Sequence, residues 1–507
     1  MSDEPDQANT DQAGTDETDL PEQMRVRREK RDRLTAAGLD CYPVGYPRTT
    51  SVADLRDAYP DLAVDTFTGT RVGITGRVVS RRGHGKLSFA VVRDGAAEVQ
   101  VMLSLDRLGQ DSLDQWQHDV DLGDLVGCTG EVISSRRGEL SVLAESWAIT
   151  SKALRPLPSR WHGMDTESRV RQRYVDLAIN PDSRRVLATR SAVVRSIRDS
   201  LTRRAYLEVE TPMLQVVHGG AAARPFRTHM NALGLDLYLR IAPELYLKRL
   251  LVGGVERVFE INRNFRNEGA DSTHNPEFTM LEAYQAYGDY NTMATLTREL
   301  VQEAAEVATG GHVVTLPDGT ELDLSGDWRS VTLHGAVAEA LGEDVTVDTP
   351  RHLLAAHADR TEVAVEPAAS AGAIVLELFE KLVEHTLRAP TFVRDYPVEV
   401  RPLTRQHRDE PRLTESWDLI INGREIGTAY SELVDPVEQR RRLVEQAQLG
   451  AQGDAEAMAL DEDFLRALEY GMPPSGGMGM GVDRLVMLVA GVASIRDVIL
   501  FPLVRPE

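Results

Sequence analysis

The chain of 507 residues is 42% hydrophobic and 27% charged, long enough for two or three domains with separate cores. Its net charge of -22 excludes a uniformly basic surface, so any contact with a polyanion must come from local patches. Two cysteines, Cys41 and Cys128, exclude a disulfide framework or zinc cluster of ordinary spacing and fit a reducing compartment. There is no signal peptide and no apolar run of about eighteen residues, so the expectation is a cytoplasmic protein without a membrane partner.

Residues 1–20 hold seven acids, no base and almost no large apolar side chain, which predicts a disordered acidic tail. Arg25 to Arg33 reverses that balance with six bases and two acids. It lies in a helix predicted from Pro21 to about Ala37, with Gly38 beyond its end. This helix opens an N-terminal extension over 21–67, and its bases suit either a solvated face or a phosphate backbone. Between Thr68 and Leu154 come VGITGRVVSRR, KLSFAVVRD, AEVQVMLS, LVGCTGEVISS and ELSVLAESWAIT. Five alternating strands of this kind predict a small Greek-key barrel of the OB type over 68–154. Such barrels hold single-stranded nucleic acid on aromatic and basic side chains. Arg81, Arg82, Phe89, Gln100 and Glu139 are candidates for that face, although composition alone would put Phe89 in the core. The Pro-punctuated KALRPLPSRWHG (Lys152–Gly163) marks the boundary with a second domain, 155–507.

That domain begins with a helix-rich stretch ending in RRAYLEVETPMLQ (Arg203–Gln215). Gly219 and Gly220 then permit close approach of backbone to a small ligand. Glu244 opens a helix after Pro243, where an acid ordinarily serves the helix dipole. Val258–Tyr287 is the stretch around which the rest is organised. Phe259, Ile261 and Phe265 alternate with Glu260, Asn262, Asn264 and Arg266, as on a half-buried strand. After a polar loop, Phe278, Met280, Glu282 and Tyr284 share one face of a second strand. An arginine that can grip phosphate, a ring that can stack and carboxylates that can hold a cation thus meet on one surface. Residues 306–370 read as an insertion containing a hairpin with a DG turn. In WDLIINGREIGTAYSEL, the Asn422-Gly423 turn sets Ile420 opposite Glu425, which makes Asp418 and Glu425 diagonal neighbours. Two such carboxylates repel unless a cation or proton lies between them, a salt-bridged pair being the alternative. Finally Gly477, Gly479 and Gly481 clear one face of a strand before Asp483-Arg484 opens an apolar helix.

FRNE followed by HNPEFTMLE resembles motif 2 of the class II aminoacyl-tRNA synthetases, in the form typical of the lysyl enzymes. RRAYLEVETPMLQ, anchored by Pro212, resembles motif 1, and GMPPSGGMGMGVDR resembles motif 3. The similarity covers about residues 68–507 and implies an α+β fold. An OB-fold β-barrel that reads the anticodon would precede a class II catalytic domain, an antiparallel sheet flanked by helices. It also implies a homodimer that uses ATP and Mg²⁺ to convert L-lysine to lysyl-adenylate and then charges tRNA(Lys). At matching positions Arg266 would grip the α-phosphate and the lysine carboxylate, and Arg484 the distal phosphates, the two being the catalytic pair. Phe278 would stack on adenine, with Glu268, His274 and Glu425 also on ATP and Asp418 with Glu425 on the metal. Lysine would lie among Gly220, Glu244, Arg266, Glu282, Tyr284, Thr428, Tyr430 and Glu432, with Glu244 on its α-ammonium. Arg82, Phe89, Gln100 and Glu139 would face the anticodon.

The chain departs from the pattern at Ala205 (usually Gly), Ala373 (commonly basic), Asp418 (often Glu), and Thr428 and Val434 (both usually Asn). Threonine can still donate one hydrogen bond to the amino acid. The alternative expectation is therefore a lysine-activating relative with an altered pocket or another acceptor. Glu282 and Glu432 argue against aspartyl or asparaginyl specificity, because an acidic side chain would need cations in their place.

Overall fold

The computed structural model describes residues 21–83, 85–158, 163–367, 369–453 and 456–506; the acidic stretch 1–20 lies outside them. The chain divides into two compact units, one reaching to Arg169 and including Tyr174–Pro181, the other containing Val170–Arg173 and the chain from Asp182 onward.

In the first unit, β1 (Phe67–Arg82), β2 (Leu87–Asp94), β3 (Ala97–Ser104), β4 (Leu125–Ser134) and β5 (Leu140–Ser151) close into a barrel in the order β1-β2-β3-β5-β4. These are the five predicted strands. Val72, Ile74, Val92, Val99, Val101 and Leu103 fill the interior. The basic helix α1 (Glu22–Ala36) spends much of its charge within its own unit. Arg27 donates to the carbonyls of Ala153 and Leu122, Lys30 pairs with Asp121 at 2.7 Å, and Arg33 pairs with Asp119. Fully buried Lys152 meets the same loop, 2.6 Å from Asp121 and 2.7 Å from Asp124.

The second unit is built on eight strands: β6 (Leu207–Glu208), β7 (Arg257–Phe265), β8 (Glu277–Ala286), β9 (Arg329–Thr332), β10 (Thr391–Arg394), β11 (Ser416–Ile421), β12 (Arg424–Ser431) and β13 (Ser475–Gly481). Their order is β9-β10-β11-β12-β13-β8-β7-β6. The centre is antiparallel, as expected, but each edge pair, β9·β10 and β6·β7, is parallel. The first edge is parallel because helices of the insertion carry the chain from β9 back to the start of β10.

Alternation along the strands separates core from site. Leu281 and Ala283 of β8, Met478 and Met480 of β13, Ala429 of β12, and Trp417 and Leu419 of β11 belong to one hydrophobic core. Against them pack the helices Pro181–Arg203, Tyr290–Thr309 and Val482–Ala490. The second of these begins with a capping box at Asp289, which satisfies otherwise unpaired N–H groups. Residues of opposite parity project from the other face. Leu333 and Val337 of the insertion form a second core with Ile374, Leu378 and Phe379 of the following helix, and the predicted DG hairpin forms over Val313–Thr315 and Glu321–Asp323. Ala205 holds φ at 59°, a left-handed turn that explains why glycine suits this position.

Candidate active site

Strands β8, β13 and β12 lie side by side, and their registers assemble a cavity of 610 Å³. Met280, Glu282 and Tyr284 stand opposite Gly481, Gly479 and Gly477, while Thr428 and Tyr430 flank Gly479 and Gly477 from the other side. The three alternating glycines therefore leave a strip of bare backbone between two walls of side chains. At Gly477 glycine is obligatory: a Cβ would lie 2.1 Å from Glu432 Oε1 and 2.4 Å from Tyr284 Cε1.

One end of the cavity is acidic and buried. Glu244, Glu282, Tyr284 and Glu432 are all at most 6% exposed by side chain or residue. Tyr284 Oη donates to Glu282 Oε2 at 3.1 Å. Burial, reinforced by Glu244, pushes the Glu282 carboxyl well above the ordinary range. Burial likewise pushes Glu432 up to about 7, even though Lys248 opposes the shift. Gly220 reaches the lining at φ 88°, where a Cβ would lie 3.0 Å from Glu244 Cβ.

The other end is open and basic. Arg266 stacks its guanidinium over the Phe278 ring, 5.1 Å from the centroid, and its buried Nε has no hydrogen-bond partner among the described residues. Arg484 donates to the Glu425 carbonyl at 2.8 Å and lies 3.2 Å from His274 Nε2. His274 Nδ1 is in turn held by Asp271. Glu268 and Glu425 complete this part of the lining. Asp483 fixes the base of the Arg484 helix: it accepts from the Thr279 amide at 2.7 Å and pairs with Arg190 at 2.5 Å.

The predicted cavity residues Gly220, Glu244, Arg266, Glu268, His274, Phe278, Glu282, Tyr284, Glu425, Thr428, Tyr430 and Arg484 all line this one space, and Glu432 stands behind Gly477. Asp418 is the exception. The predicted pairing of Ile420 with Glu425 is present, but a bulge follows it and sets Asp418 opposite Thr428. Asp418 does not line the cavity, and its Oδ2 is ion-paired with Arg401. Its buried Oδ1 has no hydrogen-bond partner among the described residues. Among the described residues no cluster of three His, Cys, Asp or Glu side chains is arranged for a metal ion. Of the two, only Glu425 lines the cavity, so it can offer Mg²⁺ one carboxylate, with the rest of the shell from phosphate and water, while Asp418 is held by Arg401. Thr428 also differs from expectation, because its hydroxyl donates to the Trp417 carbonyl at 3.2 Å rather than into the cavity. Sequence reasoning missed Arg401, Arg190 and Lys248. Only the last left a readable signal, the i,i+4 spacing of Glu244 and Lys248.

On the barrel, Arg82, Phe89 and Gln100 form one patch. Arg82 lies over the Phe89 ring at 5.3 Å and donates to Gln100 Oε1 at 3.0 Å. Phe89 is half-buried and outside the core, contrary to its composition-based reading. Arg81 is turned away to the carbonyls of Val120 and Gln117, and Glu139 pairs with Arg56 at 3.5 Å.

A mixed sheet with a glycine-floored cavity, preceded by a five-stranded barrel, defines a class of nucleotide-using ligase, and comparison with known proteins agrees. Residues 165–505 match the family described as tRNA synthetases class II (D, K and N), and residues 72–150 match the OB-fold nucleic acid binding domain. The lysine–tRNA ligase of Mycolicibacterium gilvum is 59% identical over 490 residues, covering 96% of this chain and 98% of the relative. That of Kineococcus radiotolerans is 57% identical over 491 residues, with the same coverages. The lysylphosphatidylglycerol biosynthesis bifunctional protein LysX of Nocardia farcinica is 54% identical over 492 residues, 96% of this chain but 43% of that protein. The chain belongs to the class II aminoacyl-tRNA synthetases. Within them it belongs to the lysine–tRNA ligase family.

Proposed function

We propose that this chain activates L-lysine with ATP and transfers the lysyl group to tRNA(Lys). The observation that carries the reading is the bare strip Gly477-Gly479-Gly481, which joins an acid-lined end to an arginine-lined end within one cavity. The acidic end takes the two ammonium groups of lysine: Glu282, Tyr284 and Glu432 the side-chain one, Glu244 the α-ammonium. Arg266, already stacked on Phe278, takes the lysine carboxylate and the α-phosphate, with adenine against Phe278. A carboxylate oxygen of lysine attacks the α-phosphorus, the bond to the β-phosphate breaks, and diphosphate leaves. A 3′-terminal ribose hydroxyl of tRNA then attacks the acyl carbon, loses its proton, and AMP departs. Both steps bring anions together, so positioning and charge neutralisation by Arg266 and Arg484 are the protein's main contribution. Glu425 would hold Mg²⁺, which would supply charge neutralisation at the phosphates.

In the same reading the Arg82, Phe89, Gln100 and Glu139 surface meets the anticodon, in a domain spanning about 68–154. Exposed Leu207, Met213, Leu214 and Val216, around the motif 1 segment, support a homodimer through that edge. No helix among the described residues is long and apolar enough to cross a membrane. The test is pyrophosphate exchange with ATP and Mg²⁺ against each of the twenty amino acids, then charging of total tRNA. Exchange with lysine alone followed by charging is the expected result. Exchange without charging would replace tRNA with another acceptor, and no exchange would overturn the reading.

A further inference from the structure

The acidic end of the cavity contains a cation of its own. Lys248 lies one turn after Glu244 on the helix Glu244–Val252 and has no exposed surface. Its Nζ is 2.6 Å from Glu244 Oε1 and 2.5 Å from Glu432 Oε2. An ammonium removed from water persists only when paired, and both partners here are carboxylates assigned above to the substrate. Other charged groups nearby are engaged elsewhere. Tyr284 donates to Glu282 on β8, Glu260 stands opposite Glu282 on β7 and is neutralised by Arg240 at 2.7 Å, and Arg249 turns to Asp461 at 2.9 Å. Tyr430 is the remaining titratable group, on β12.

The charges can be counted. With all three acids ionised, as an ammonium-bearing ligand requires, Glu244, Glu282 and Glu432 against Lys248 carry two net negative charges, which equals the two ammonium groups of lysine, while Arg266 takes its carboxylate. We infer that Lys248 is a positioning and specificity-determining residue: a resident ammonium that holds the Glu244 and Glu432 carboxylates in place and favours the charged form of Glu432, so that the pocket is preset for a ligand bearing two positive charges. The inference rests on the proposed lysine reading and deepens it. Without Lys248, the excess negative charge would be met by a proton on Glu432, because burial and neighbouring Glu244 both disfavour its charged form. Incoming lysine would have to expel that proton. The direction of the Glu432 shift agrees: it is raised despite Lys248, so removing the ammonium raises it further. The ammonium of Lys248 is itself stabilised by the same two acids.

The experiment uses the full-length chain and its Lys248→Met and Lys248→Arg variants. Lysine binding is measured calorimetrically in buffers of differing ionisation enthalpy, and lysine-dependent pyrophosphate exchange is followed from pH 6 to 7.5. Lys248→Met keeps the apolar stem and removes the charge. It should release about one more proton per bound lysine than the parent, and its lysine KM should depend on pH more steeply, by up to about tenfold per unit. The KM for ATP should not move. Lys248→Arg keeps the charge and should preserve the parent's proton count even if its KM changes. A Lys248→Met protein with the parent's proton count and pH slope would reduce Lys248 to packing, whatever its melting temperature. Should Lys248→Met fail to fold, a changed proton count in Lys248→Arg overturns the inference. A parent chain that binds no lysine overturns the underlying reading first, and the inference with it.

Discussion

At one end of the cavity Glu244, Lys248, Glu282, Tyr284 and Glu432 are buried and bonded to one another; at the other, His274 and Glu268 are exposed and Arg266 keeps an unpaired Nε. The buried end has its partners built in, because charges taken out of water must be compensated before any ligand arrives. The open end can leave compensation to a nucleotide that brings its own charge, because solvent screens its groups meanwhile. Selectivity therefore belongs to the first end and rate to the second.

The sharpest way to break this division is Arg266→Lys. A single ammonium cannot reproduce the planar fork over Phe278, so kcat/KM for exchange should fall by on the order of 10³ for lysine and ATP alike. Gly477→Ala probes the opposite end. Its Cβ displaces Glu432 and Tyr284, so the KM for lysine should rise on the order of 10²-fold while the KM for ATP stays within about twofold. A loss shared equally by both substrates would dissolve the distinction. Acidity gives a gentler probe. Burial holds the Glu282 carboxyl above its ordinary range, so an ammonium that pairs with its ionised form binds more tightly as pH rises. The lysine KM should fall as pH rises, by at most about tenfold per unit for this one group, and Glu282→Gln should flatten that response. The smallest effect lies outside both ends: Ala205→Gly relieves a left-handed alanine and should raise stability by about 0.5–1 kcal/mol in denaturant titration, with exchange kinetics unaltered.

Strand parity made much of this legible in advance. The alternation through Val258–Tyr287, the Asn422-Gly423 turn with Asn422 at φ 52°, and the three spaced glycines each encode local geometry, and each formed as read. What stayed hidden were pairings between distant segments. Arg401 reaches Asp418 from the connection after β10, and no spacing rule links them. The bulge beyond Ile420 depends on packing rather than on turn chemistry. Thr428 read as a donor to ligand because its residue type allows it, yet the Trp417 carbonyl is nearer. On the barrel, Phe89 was misplaced by composition because a half-buried ring over an arginine has the same residue type as a core ring.

The glycine floor also bears on attempts to give this pocket a different monomer. A surface made of main chain offers an engineer nothing to shave and, at residue 477, no room to build. Libraries aimed at longer or bulkier amino acids should therefore leave β13 untouched and vary the flanking positions 280, 428 and 430. Residue 280 stands on β8 and residues 428 and 430 on β12, so substitutions there leave the glycine strand between them unchanged.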